Sequence, residues 1–159
     1  MWGLIEQGLQ CGDCGINAHK TCARLIPHDC APNPKLVQRL FGASLVTLVK
    51  LYGTQRPVIV NLCVQELERR DVLKLRGLYR ENGDTFDIER IRNQFDNGKS
   101  HLRNHWHYHI FVDLGSVNLS AVDTYTVASL LKLYLRELPE PLVQTELYPR
   151  FINAIKQSK

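Results

Sequence analysis

Four of the five cysteines in this chain fall within its first 30 residues, and His19 stands among them. The order is Cys11, Cys14, His19, Cys22 and Cys30, with two, four, two and seven residues intervening. Two thiolates separated by two residues can grip one tetrahedral Zn²⁺ from a tight turn, each sulfur about 2.3 Å from the metal. A histidine interleaved with such pairs reads as a zinc module, and a small disulfide or free-thiol cluster is the competing reading. Five ligands exceed the need of one tetrahedral ion and fall short of two. Because zinc supplies most of the folding free energy of so small a module, incomplete coordination predicts weak metal binding or poor folding of this segment.

Beyond the cluster, Ala31-Pro32-Asn33-Pro34 places two prolines in four residues, which excludes a helix and favours an extended connector. We therefore divide the chain into residues 1–34 and 35–159. The larger part is predicted to be all-α, with few strand signals. Leu45, Leu48, Val49 and Tyr52 recur at helical spacing, and Pro57 suits the first position of a second helix that turns Val58, Leu62 and Leu67 inward. Ile88, Ile91 and Phe95 mark a third helix, capped by Asp84 or Thr85. A fourth runs from about Asp123 to Leu138 with Val127, Leu130, Leu131, Tyr134 and Leu138 on one stripe, and Pro139 and Pro141 end it. Leu147, Phe151, Ile152 and Ile155 outline a last amphipathic segment.

The net charge of +4 is unevenly placed: residues 1–34 hold Lys20 and Arg24 against Glu6, Asp13 and Asp29, so the excess lies in the helical part. That balance suits an acidic or phosphate-bearing partner. No basic stripe with interleaved aromatics appears, which argues against nucleic acid. No apolar run approaches the ~18 residues that span a bilayer, and Glu6 interrupts the N-terminus before a secretory signal could form.

Trp2-Gly3-Leu4-Ile5-Glu6-Gln7-Gly8, followed by Cys11-Gly12-Asp13-Cys14-Gly15, His19-Lys20-Thr21-Cys22 and Cys30, resembles the C-terminal half of the phorbol-ester/diacylglycerol-type zinc domain. That family holds two interleaved Zn²⁺ with eight ligands, so the resemblance implies two sites, both incomplete here. It places Cys11, Cys14 and Cys22 in one site and His19 and Cys30 in the other. It also assigns Trp2, Leu4 and Gln7 to a lipid-binding loop whose apolar rim inserts into diacylglycerol-containing membrane, the family's first lipid loop being absent. By themselves Trp2 and Leu4 are ordinary apolar residues, and no appreciable diacylglycerol binding by this chain alone is expected.

Gly77-Leu78-Tyr79-Arg80 with Asn82-Gly83 sits between two predicted helices, and taken alone Arg80 is an ordinary loop arginine beside a glycine turn. Lys132 and Arg136, one helical turn apart, lie opposite the apolar stripe and read as a solvated face. Together with Thr126-Val127-Ala128-Ser129-Leu130-Leu131-Lys132 and Arg136-Glu137-Leu138-Pro139-Glu140-Pro141-Leu142, these segments resemble the activating domain for Rho-type GTPases (RhoGAP). Thr47-Leu48-Val49-Lys50 and Arg56-Pro57-Val58-Ile59-Val60 extend the likeness upstream. A diacylglycerol-type zinc domain joined to this one resembles the chimaerins, Rac-directed activators. The resemblance implies that Arg80 is an arginine finger offered to a Rho-family GTPase in its GTP form. Lys132 and Arg136 would support the finger loop and contact the GTPase. The chain would then be a regulator rather than an enzyme, cytoplasmic with peripheral membrane recruitment. A non-catalytic GTPase-binding module, or a zinc-dependent membrane sensor, is the alternative within the same ancestry.

Two departures stand out. Ser100-His101-Leu102-Arg103-Asn104-His105-Trp106-His107-Tyr108-His109-Ile110-Phe111 has no counterpart in the family pattern. An inserted loop or translated non-coding sequence explains it more simply than a metal site, despite its four histidines. The family's last helices, including an asparagine that contacts the GTPase, would follow Lys159, so the resemblance implies a fragment with compromised or no activity.

Overall fold

The computed structural model describes residues 8–26, 30–33, 35–37, 39–97, 99–100, 111–112 and 117–157. The cysteine segment is built on a short antiparallel ladder of β1 (Gly8–Gln10) and β2 (Asn17–His19), with Gly8 opposite His19 and Gln10 opposite Asn17. The rest is helical: α1 (Leu45–Tyr52), α2 (Val58–Arg69), α3 (Thr85–Asn97), α4 (Thr124–Arg136) and α5 (Tyr148–Gln157). Between α3 and α4, the two-residue strands β3 (Lys99–Ser100) and β4 (Phe111–Val112) pair antiparallel, a ladder the residue pattern does not announce. The histidine-rich stretch 101–110 lies outside the described residues, as do Trp2, Leu4 and Gln7.

Local chemistry sets the helix ends. Gly53 adopts the left-handed region (φ 59°) and closes α1, a conformation that costs a side-chain-bearing residue. Pro57 stands one position earlier than expected: it is the N-cap of α2, its carbonyl accepting from Asn61 N–H (3.1 Å), while Val58 opens the helix. Of the two candidate caps for α3, Asp84 takes the role, its Oδ1 accepting from Asp87 N–H at 2.8 Å. Asp123 does the same for α4, accepting from Thr126 N–H at 3.0 Å.

Helix α4 is the centre of the core and packs on both α2 and α3. Val127, Leu130 and Tyr134 are fully buried, and Ile59 and Cys63 of α2 and Ile91 and Phe95 of α3 meet them in the same cluster. Each such side chain contributes about 1.5–3 kcal/mol by leaving water. The segment before α1 joins the cluster through Leu40 and Phe41. Phe41 lies edge-on to Tyr134 (5.7 Å, 86°) and beneath the Arg92 guanidinium (5.6 Å). Asp96 of α3 fixes this segment by accepting from Leu40 N–H (2.7 Å) and Phe41 N–H (3.2 Å).

One expectation about a face needs correction. The buried part of α4 is wider than one stripe, because Thr126, Ala128 and Ser129 are buried beside Val127, Leu130, Leu131 and Tyr134. A loop covers the flank where those small residues sit. Helix α5 forms over the expected segment, but none of its residues is buried, and Tyr148, Phe151 and Ile155 are exposed.

An ion-pair cluster joins α2 to the start of α4. Glu66 accepts from Arg69 Nη2 (2.7 Å) and Arg70 Nε (2.8 Å), and Arg70 Nη2 donates to the Leu119 carbonyl (2.7 Å). The hydrogen bond from Arg69, then those from Arg70, outweigh burial and lower the Glu66 carboxyl from its ordinary 4.5 to about 2. A carboxyl depressed in the folded state stabilises above its unfolded pKa and stops doing so as pH falls through the folded one. Glu66→Gln is therefore expected to lower stability at pH 7 by about 1.5–3 kcal/mol, the range of a hydrogen bond to a charged group. In urea unfolding, its difference from wild type should shrink between pH 4.5 and pH 2.

Candidate functional site

The loop carrying Arg80 is a tight turn that begins at Gly77. With φ at 72°, Gly77 accepts through its carbonyl from both Arg80 N–H (2.9 Å) and Glu81 N–H (2.8 Å). The turn lifts Tyr79, Arg80, Glu81 and Asn82 into solvent, and the Arg80 side chain is 85% exposed. Among the described residues its Nη2 touches the neighbouring Glu81 carboxylate alone, at 3.1 Å, and an exposed pair of this kind is worth about 0–1 kcal/mol. The guanidinium is therefore easily released to a stronger anionic partner.

Helix α4 holds the turn from below. Lys132 Nζ donates to the carbonyls of Tyr79 (3.0 Å) and Glu81 (3.3 Å), the two residues flanking Arg80. The expected solvated pair thus separates: Lys132 bends to the loop, and Arg136 stays exposed at the C-terminal end of the helix. Further along the loop, Gly83 N–H donates to Ser129 Oγ (3.0 Å) and Asp84 N–H donates to Thr126 Oγ1 (2.9 Å). Gly83 does not have positive φ and is no turn glycine. A Cβ there would lie 2.2 Å from Thr126 Cα, so what requires glycine is the loop backbone pressed against the first turn of α4. Thr126 and Ser129 stand in the family-like string and Asp123 at the helix start, but the sequence assigns none of them a role; the added signal is short polar side chains at three-residue spacing that lead up to Lys132.

The zinc-type residues form a second site. All five cysteines are free thiols, and the sulfurs that converge among the described residues are those of Cys11, Cys14 and Cys30, all within 4.8 Å of one another. This corrects the implied ligand division: Cys30, not Cys22, joins Cys11 and Cys14. The reason is backbone routing, since Asn33 N–H donates to the Asp13 carbonyl (2.6 Å) and folds the segment after Cys30 back onto the Cys11–Cys14 turn. Gly15, at φ 77°, closes that turn by donating to the Cys11 carbonyl (2.9 Å). Cys22 instead is exposed one turn after His19, its N–H donating to the His19 carbonyl (3.0 Å).

The donor set fits zinc. Cys11 and Cys30 Sγ stand 4.0 Å apart, near the ~3.8 Å edge of a tetrahedron of sulfurs 2.3 Å from a metal. Backbone N–H groups of Cys14, then Asp13, point at the Cys11 sulfur and lower its pKa, favouring the thiolate that metals bind. Cys30, hydrogen-bonded first to Cys14, is pushed up to about 11. The same turn meets the helical part, where Thr47 Oγ1 of α1 donates to Asp13 Oδ2 at 2.8 Å.

Comparison with known proteins agrees with this layout. The RhoGAP domain family matches residues 57–159, and the phorbol esters/diacylglycerol binding domain (C1 domain) family matches residues 1–33. The chain is similar to beta-chimaerin of Rattus norvegicus, at 40% identity over 161 residues covering 99% of this chain and 49% of the relative. It is similarly related to N-chimaerin of Homo sapiens, at 40% identity covering 98% of this chain and 31% of the relative. This chain thus spans about half or less of the length of the curated relatives it matches. Among solved structures it resembles human Rho GTPase activating protein 15, with TM-score 0.53 and 25% identity, over 79% of this chain and 56% of that one.

The sulfur geometry predicts which thiols matter for metal. Titration with Co²⁺, read by its thiolate charge-transfer absorption, should show binding that Cys11→Ser, Cys14→Ser or Cys30→Ser weakens at least about tenfold. Cys22→Ser should leave the absorption of the Cys11–Cys14–Cys30 site in place.

Proposed function

The chain belongs to the RhoGAP domain family, and from that premise we propose that it stimulates GTP hydrolysis on a Rho-family GTPase, with Arg80 as the arginine finger. The observation that carries this reading is the presentation of Arg80: a guanidinium 85% exposed on a turn whose two flanking carbonyls are held by Lys132. A Rho-type GTPase hydrolyses GTP slowly because charge building on the β- and γ-phosphate oxygens is incompletely compensated. A guanidinium supplied in trans compensates it and helps to fix the attacking water, an effect of about 10³–10⁵ in rate, or about 4–7 kcal/mol. Lysine lacks the planar fork and substitutes poorly. Arg136, exposed one turn beyond Lys132, faces outward for contact with the GTPase itself.

In this reading the chain is a regulator; the chemistry belongs to the GTP-loaded partner, and the helical part needs neither nucleotide nor metal of its own. The unit 35–159 carries the activity, and the unit 1–34 carries zinc. Cys11, Cys14 and Cys30 would serve one ion, and His19 and Cys22 would contribute to a second. When bound, zinc supplies structure rather than chemistry: it would fix the loops that bear Trp2, Leu4 and Gln7. Those residues would meet diacylglycerol-containing membrane in the intact module and recruit a cytoplasmic protein to its surface.

Single-turnover hydrolysis on GTP-loaded Rac, measured against rising concentrations of the 159-residue chain, tests the reading. Arg80→Ala is expected to remove most of the stimulation while its affinity for the GTP-loaded GTPase stays near wild type, and Arg80→Lys should recover little. Equal stimulation by wild type and Arg80→Ala would replace the activator with a GTPase-binding module.

A further inference from the structure

The Lys132 contacts account for the tip of the finger loop, but its return limb is held by other side chains. Thr126, Ser129 and Lys132 occupy successive i+3 positions, so they form one ridge along α4. The loop lies along that ridge: Asp84 N–H on Thr126, Gly83 N–H on Ser129, and the carbonyls of Glu81 and Tyr79 on Lys132. Thr126 is fully buried and Ser129 nearly so. A hydroxyl inside a protein is useful as an acceptor when its own proton is committed elsewhere. Asp123 commits it: the Thr126 hydroxyl donates in a short contact to Asp123 Oδ2, and an ionised carboxylate can only accept. Thr126 Oγ1 is left with its lone pairs facing Asp84 N–H, and the direction of every hydrogen bond from Asp123 to the loop is thereby fixed.

We propose that Thr126 and Ser129, with Asp123 ordering the Thr126 hydroxyl, are positioning residues that set the height and direction of the turn bearing Arg80; the inference rests on the arginine-finger reading above. They touch neither nucleotide nor GTPase. Their effect falls on the rate reached once the partner is bound, because a displacement of about 1 Å at the reacting groups can cost about 10²-fold in rate.

The test is single-turnover GTP hydrolysis by Rac at rising concentrations of the 159-residue chain, which separates the maximal rate from the half-saturating concentration. Thr126→Val keeps the shape of the side chain and removes the hydroxyl, whereas Thr126→Ser keeps the hydroxyl. Thr126→Val and Ser129→Ala are each expected to lower the maximal rate about 10-fold to 100-fold with little change in half-saturation. Thr126→Ser should restore most of it. Cys63→Ala, a core truncation on α2 away from the loop, controls for stability: it should lower the melting temperature and leave the maximal rate near wild type. Unaltered maximal rates in Thr126→Val and Ser129→Ala, beside a large loss in Arg80→Ala, would overturn this proposal alone. A loss in Cys63→Ala equal to that in Thr126→Val would also overturn it, as an effect of stability. Should Arg80→Ala itself hydrolyse at the wild-type rate, the finger reading falls and takes this inference with it.

Discussion

Everything in the helical part leans on the burial of α4. Seven of its thirteen residues are shielded from water, six of them consecutive, which a helix at a protein surface never achieves. Helices α2 and α3 shield its apolar side, and the loop from Gly77 to Asp84 shields the flank that carries Thr126 and Ser129. A single helix is in this way both the filling of the core and the bench on which the exposed turn is mounted. The rigidity of the turn derives from packing far below it, through Val127, Leu130 and Tyr134, and not from contacts among its own solvent-facing side chains.

That arrangement separates two jobs that might conflict. In the role proposed for Arg80, a cation offered to a partner's phosphates must stay solvated and loosely held, while its backbone must not wander. Among the described residues Arg80 pairs with the exposed Glu81 carboxylate alone, and the backbone on either side is tied by Lys132, Ser129 and Thr126. The cysteine segment follows a different logic, in which a turn of backbone N–H groups favours a thiolate and the segment returning after Cys30 brings the third sulfur. The Asp13–Thr47 hydrogen bond joins that turn to α1.

Much of the helical architecture is legible in the residue pattern. Apolar periodicity outlines the five helices, and Asp84 and Asp123 mark starts that they do chemically define, whereas the apolar pattern does not announce the left-handed Gly53 that closes α1. Legibility fails where the deciding contact is between segments distant in the chain. The choice of Cys30 over Cys22 depends on Asn33 reaching the Asp13 carbonyl, a closure that ligand spacing does not encode. Thr126 and Ser129 read as polar positions beside an apolar stripe, which ordinarily face water, and only the loop laid over them makes them interior. Lys132 was assigned its place by family likeness; periodicity alone put it on a wet face, since charge at that angle says nothing of carbonyls overhead. The pattern of α5 is amphipathic, yet amphipathicity names a face without naming what covers it.

The close approach at Gly83 divides the loop into a fixed and a free part. Because a Cβ there would lie only 2.2 Å from Thr126 Cα, position 83 admits no other residue without lifting the whole turn. Tyr79, Glu81 and Asn82 project into open solvent and can be exchanged without disturbing that seat. If the proposed role holds, the outward side chains could be retuned residue by residue around a fixed arginine, much as a key blank is recut while its shank stays the same.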